Sequence, residues 1–312
     1  MQTAVKLYTI CQNLTHAGYV LNYEESFYHS QRYLNSQAEK PQYSFFLCSP
    51  ENDQVLGKIH FYRRDDQVIS QVYAPFGSFN TAKVPRETAE RFLSFTVESL
   101  SGQGFKQILI HHPASCYLNS TFWGEILIHH EFSPKCQVNH HLVIDNTPLK
   151  EKMHIMEQRK LSRCRQFEFR IHSVESLSKI YDFIYRCRKE RKQSLSLSLE
   201  QLELVVRNSP DNFVICTVKS GDLLAAAAIV IKVNSKCWYQ FYPAHSRRFD
   251  RESPLVFLIS KLYEYAARHD VKVLDLGPSE LHGQPLPGLL QFKSRLGAVI
   301  TYKKYFSKSI NS

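Results

Sequence analysis

Val273-Leu274-Asp275-Leu276-Gly277 is followed, across a loop rich in proline and glycine, by Gly288-Leu289-Leu290-Gln291-Phe292-Lys293-Ser294-Arg295-Leu296-Gly297-Ala298. The first segment reads as a buried strand that ends in an acid and a glycine. The second reads as a short helix stopped by Gly297, with one lysine beside its apolar stripe. Lys293 follows Leu289 by four residues and precedes Leu296 by three, so on a helix it falls along the buried stripe. A lysine so placed either turns its ammonium out to water or reaches into a cleft with its stem packed. Asp275 has a similar choice, between capping a turn and meeting a ligand at the C-terminal end of its strand.

Upstream of this pair the chain repeats one pattern. Tyr43–Cys48, Gln54–Tyr62 and Val68–Tyr73 read as an antiparallel meander, with turns at Pro50-Glu51-Asn52-Asp53 and Asp65-Asp66. Pro85 then opens an amphipathic helix to Leu100, and a strand follows over Lys106–His111. The second half runs in the same order. Phe213–Val218, Leu223–Lys232 and Cys237–Tyr242 form a meander, and Ser253-Pro254 starts a helix whose face carries Leu255, Leu258, Ile259, Leu262 and Ala266. Val271–Leu276 is the strand that follows. Setting Tyr73-Ala74-Pro75 against Tyr242-Pro243-Ala244 brings the halves into register. The expected architecture is therefore α/β (α+β), with two domains over 1–146 and 147–312, each a mostly antiparallel mixed sheet with flanking helices. Two basic connecting helices, over Pro148–Phe167 and from Val174 to the Arg186–Lys192 run, join them. Such charge runs also suit a plain solvated face.

The chain has 312 residues and a formal net charge of +10, with 43% hydrophobic residues, 20 Phe and 17 Tyr. This composition is that of a globular protein with an aromatic core and excludes disorder. The excess charge suits a polyanionic partner or a phosphate-bearing substrate, and equally suits mere solubility. Its longest apolar run, Leu223–Ile231, is too short to span a bilayer, and its N-terminus lacks the layout of a signal peptide, so a cytoplasmic location is expected. The eight cysteines contain no C-x-x-C pair and read as reduced and mostly buried. The pairs His111-His112, His129-His130 and His140-His141 do not read as metal ligands, because adjacent side chains on a strand face opposite ways.

The linked D-L-G and G-L-L-Q-F-K-S-R-L-G segments resemble the signature of the FemAB-like branch of the GNAT (acyl-CoA N-acyltransferase) superfamily. In that branch a D-x-G strand precedes a G-L-x-x-F-K-x-x-F-G helix; Leu296 stands here where the family usually has Phe. The resemblance implies two tandem GNAT-like domains and direct transfer of an acyl group from a carrier to an amine, without a covalent enzyme intermediate. It implies that Lys293 lies by the acyl carbonyl and stabilises the oxyanion, that Asp275 orients Lys293 or the amine, and that Tyr242 or Tyr239 holds the amine or leaving group. Gly277 would admit the backbone close to substrate. Ordinary GNAT enzymes bind pyrophosphate on a glycine-rich loop before the central helix. The stretch here, His245 to Ser253, has no glycine; Arg247, Arg248, Arg251 and Ser253 at the helix start are the expected phosphate contacts. The resemblance implies no tightly bound cofactor. The donor is acyl-CoA or aminoacyl-tRNA, and the acceptor is a small amine or one resembling a peptidoglycan precursor. A catalytically silent, basic RNA-binding module is the contrasting expectation.

Overall fold

A computed structural model describes residues 9–12, 20–49, 54–281 and 283–310. The expected turn Pro50–Asp53 lies outside the described residues. The chain divides into two compact units: Met1–Gln137 with Lys303–Ser312, and Val138–Tyr302. The first division thus falls before the 146/147 boundary expected from sequence, and the last residues return to the first unit.

In the first unit, Thr9–Gln12, Tyr43–Cys48, Gln54–Arg64 and Gln67–Ile69 pair antiparallel in that order. Gln67–Ile69 then pairs parallel with Gln107–His112, and the chain's last strand, Val299–Ser309, completes the sheet antiparallel to Gln107–His112. The helix Arg86–Ser101 bridges the two parallel strands in sequence. It buries Ala89, Phe92 and Leu93 at helical spacing. Phe79 and Trp123 stack in the same core with ring centroids 4.1 Å apart.

The second unit follows the same order. Phe167–His172, Phe213–Ser220, Leu223–Lys232 and Cys237–His245 form the antiparallel run. Cys237–His245 pairs parallel with Val273–Pro278, and the end of Ser133–Val143 closes the sheet antiparallel to Val273–Pro278. The helix Pro254–Ala267 lies between the parallel strands in sequence and buries Val256, Leu258, Ile259, Leu262, Tyr263 and Ala266. Strand order and hand of pairing are thus the same in both units, and this is the duplication that the turn spacing announced. Each unit takes its closing strand from the far half of the sequence, which turn chemistry alone does not reveal.

The expected helix over Pro148–Phe167 is broken into Leu149–Lys152 and Ile155–Ser162, and Phe167 begins a strand instead. Met153 and His154 between them are extended, with ψ near 146° at both. Met153 is buried, and His154 caps the second helix through its Nδ1, which accepts from the Met156 amide at 3.3 Å. Burying Met153 and capping at His154 outweigh the continuous helical propensity of the charged stretch. The second basic segment is a helix over Leu177–Lys189. Among the described residues, four cysteines are buried (Cys164, Cys187, Cys216 and Cys237).

The Lys293 helix spans Pro287–Arg295 and ends at Gly297, whose φ is +85°. The Ala298 amide closes the end by donating to the Lys293 carbonyl. A Cβ at Gly297 would lie 2.6 Å from the Lys152 carbonyl oxygen as well as being strained by its φ. Gly297→Ala is expected to lower the unfolding free energy by about 2 kcal/mol, read from urea denaturation.

Candidate active site

The parallel strands of the second unit pair at only three register positions, Cys237↔Val273, Trp238↔Leu274 and Tyr239↔Asp275. Cys237–His245 runs on past that point, and its register against Leu223–Lys232 slips so that Phe241 is the extra residue. Val273–Pro278 slips too: Asp275 faces His141 and Gly277 faces His140, leaving Leu276 unmatched. Bulges bend and twist strands. Where pairing stops, a cleft of about 500 Å³ is lined by Phe241, Pro243 and Ala244 from one strand and Leu276, Gly277 and Pro278 from the other. Leu255, expected on the core face of the central helix, packs against the core and also lines this cleft.

The first unit treats the equivalent place differently. Beyond its parallel pair, the Ser70 amide donates to the Leu109 carbonyl and the Gly77 amide to the His111 carbonyl. Ser70 Oγ also accepts from the His111 amide. The following residues Phe76 and Phe79 are buried in the unit. Its own chain thus occupies the ground that the second unit leaves open.

Lys293 reaches the cleft and is only 5% exposed. Its Nζ donates to the carbonyls of Gly277 and Pro278, each at 2.8 Å. Of the two places open to it, the ammonium takes the interior one. An ammonium has three N–H groups, so two are held by the bulged strand and the third remains for a ligand. Burial brings the lysine's pKa down to about 7, against the opposing charge of Asp275.

Asp275 is 3% exposed; its Oδ1 accepts from the Gly277 amide and from Asn139 Nδ2, both at 2.8 Å. It therefore braces the backbone that holds the lysine. Gly277 has φ +76°, and a Cβ there would come 3.3 Å from the Tyr239 ring. Tyr239, Gly277 and Lys293 are thus brought together at the cleft. His140 and His141, beside them on the neighbouring strand, are buried. Burial, Lys293 and His141 hold the His140 pKa down at about 4, and burial lowers His141 against the pull of Asp275. Both are neutral at physiological pH, so they add no competing charge.

Tyr242 is not among the cleft residues. Its hydroxyl lies 2.6 Å from Ser196 Oγ and accepts from the Leu197 amide at 2.9 Å, pinning the segment after the Leu177–Lys189 helix. Tyr239 pairs with Ile231 and Tyr242 with Ile229, so the extra residue Phe241 leaves the two tyrosines on one face; they differ in position along the strand, and it is Tyr239 that lies against Gly277. Arg247, Arg248, Arg251 and Ser253 also lie off the cleft wall. The three arginines are exposed, and Ser253 occupies the N-cap position with φ +54° and makes no side-chain cap bond. The cations that do line the cleft are Arg188, Arg191 and Lys192, from the basic run at the end of the Leu177–Lys189 helix. Arg191 pairs with Asp250 at 3.0 Å. Arg188 donates to the Pro243 carbonyl at 3.1 Å and has no carboxylate partner among the described residues. Helical periodicity could single out Arg188 beside the buried Ile184 and Cys187, but could not distinguish a cleft from solvent.

Comparison with known proteins follows this geometry. Residues 155–294 match the acetyltransferase (GNAT) domain family. No curated protein matches the chain in sequence. Among solved structures, FemX superposes with a TM-score of 0.67 at 12% identity, covering 91% of this chain and 92% of its own. L-PGS from Bacillus licheniformis gives 0.57 at 9% identity, over 86% of this chain and 85% of its own. The C-terminal domain of a putative lysylphosphatidylglycerol synthetase from Agrobacterium fabrum gives 0.56 at 12% identity, over 82% of each chain. The family match covers 155–294, less than half of the chain, and the superpositions show that the chain shares the fold of FemX. No helix among the described residues is long and apolar enough to cross a membrane.

The depressed Lys293 pKa has a consequence for stability. Between about 7 and the ordinary lysine value of 10.5, the unfolded chain binds the proton and the folded protein does not. Stability contributed by this group therefore rises with pH across that window, by up to about 1.4 kcal/mol per pH unit. Urea unfolding at a series of pH values is expected to show this rise, and Lys293→Met is expected to remove it.

Proposed function

We propose that this protein is an acyltransferase that passes an acyl or aminoacyl group from a carrier to an amine, with Lys293 as the donor to the developing oxyanion. The observation that carries this reading is the grip on Lys293. Two carbonyls of the bulged strand hold its ammonium at the wall of an open cleft, leaving one N–H for a ligand oxygen. A donor fixed before the reaction needs no reorganisation as charge develops, and burial strengthens its effect.

The carrier would enter where the two strands part. On the edge that no longer pairs with Val273–Pro278, the backbone of Gln240 to Tyr242 can receive an extended amide-bearing arm, as a strand edge receives an added peptide. Such an arm occurs in coenzyme A and in carrier proteins. The aminoacyl-tRNA reading is supported by the cations Arg188, Arg191 and Lys192 on the wall and by exposed Arg247, Arg248 and Arg251, which would meet a polyanion. It is supported also by the absence of a glycine-rich loop before the Pro254–Ala267 helix. The neighbours' names bear on the acceptor: a lysylphosphatidylglycerol synthetase and FemX share the fold, and an amine resembling a peptidoglycan precursor is the acceptor class preferred here. Tyr239, over Gly277, replaces Tyr242 as the hydroxyl that meets substrate.

Lys293→Met is expected to lower kcat about 10²- to 10³-fold with a much smaller change in KM, measured with acetyl-coenzyme A and with aminoacylated tRNA as donors. A variant that turns over either donor at the original rate would remove Lys293 from the mechanism. Wild-type kcat is expected to fall as pH rises through about 7, because the deprotonated lysine is a weaker oxyanion donor.

A further inference from the structure

We infer that Asn139 is a positioning residue for the Lys293 ammonium, acting through Asp275 and the bulged backbone at Gly277. The inference rests on the reading of Lys293 as oxyanion donor and adds a residue from outside the signature segments.

The chain of contacts is continuous. Asn139, 2% exposed on the Ser133–Val143 strand, donates from Nδ2 to Asp275 Oδ1 at 2.8 Å. The same carboxylate oxygen accepts from the Gly277 amide at 2.8 Å. Gly277 and the next residue, Pro278, supply the carbonyls that hold Lys293. Each link is buried, where losing a donor to a carboxylate is costly and charge-assisted bonds are strong. Register gives the geometric reason for an asparagine here. Asn139 pairs with Pro278, and His141 pairs with Asp275, so Asn139 and His141 share a face across the bulge. The slip between Asp275 and Gly277 breaks the regular ladder, and the Asn139 amide ties the acid from the neighbouring strand just where the ladder is broken. Without it, the carboxylate loses a buried donor beside the Gly277 amide, and the loop carrying the lysine's two acceptors can loosen. A loosened site admits water to the ammonium.

The effect on Lys293 can be read without any acyl donor. The ionisable groups around the lysine are Asp275 on the strand that holds it, His140 and His141 on the next strand, and Tyr239, Glu280, Arg188, Arg191, Lys192, His245 and Cys187 on the cleft wall. Burial lowers all three histidines from the ordinary imidazole value, so they are neutral while the lysine titrates.

The experiment is trace labelling with acetic anhydride across roughly pH 5 to 11, with Lys293 acetylation followed by peptide mass spectrometry. In the wild type the labelling midpoint is expected near the depressed value of about 7. Asn139→Leu, close in size but without a donor, is expected to raise the midpoint by about one unit or more as the ammonium becomes hydrated. Asp275→Asn keeps an oxygen for the Gly277 amide but removes the charge, and is expected to lower it. Opposite shifts in the two variants support positioning through geometry. A folded Asn139→Leu protein with the wild-type midpoint overturns the proposal. Should that variant not fold, Asn139→Ser is expected to raise the midpoint by a smaller amount, and an unmoved midpoint there overturns it equally. Because labelling uses no acceptor or carrier, an unmoved midpoint counts against Asn139 alone, whereas unchanged turnover in Lys293→Met counts against the transferase reading.

Discussion

A lysine ammonium held inside a protein by two backbone carbonyls is the constraint on which the second unit is organised. Removing a charge from water costs several kcal/mol unless hydrogen bonds replace the lost hydration. Here the replacement comes from Gly277 and Pro278, whose carbonyls are free because the bulged end of Val273–Pro278 no longer pairs with its parallel neighbour. The same parting of strands that frees the acceptors also opens the cleft. Cost and use are therefore coupled: the site can hold the charge because it is open, and it is open because the ladder ends.

Around this grip the acid is engaged by N–H groups and the adjacent histidines are neutral. Asp275 is committed to the Gly277 and Asn139 N–H groups, and His140 and His141 are held neutral by burial. The first unit shows the same topology without this arrangement. Its chain stays on the strand after the parallel pair, through the Ser70 and Gly77 amides, and aromatic side chains fill its core. One fold thus supports an open site in one copy and a closed core in the other, as expected when function resides in a site and not in a topology.

Several features could be read from residues alone because they depend on local chemistry. The order of the meanders, Pro254 opening the central helix, and Gly297 ending the Lys293 helix follow from turn, cap and periodicity rules that act within a few residues. The placement of Lys293 on a buried stripe was legible for the same reason. Misreadings occur where packing at a distance overrides local preference. The basic stretch after Thr147 breaks because Met153 is buried, and Tyr242 is held by Ser196 and Leu197 while Tyr239 lines the cleft. A three-residue spacing alone puts these tyrosines on opposite faces; the inserted Phe241 returns them to one face, and nothing in the local sequence marks that insertion.

The sequence by itself determined the repeated α/β plan, the pairing of the Asp275 strand with the Lys293 helix, and the choice of a lysine as the chemical group at the site. Tertiary structure alone decided which partner each group has. Asn139 reaches Asp275 from a strand distant in sequence, Arg188 faces a cleft while Arg247, Arg248 and Arg251 face solvent, and the closing strand of each unit comes from the other half of the sequence. The physical reason is one of range. Helix, turn and cap preferences are set by neighbours along the backbone, whereas burial, register and the destination of a hydrogen bond depend on residues that only folding brings within a few ångströms.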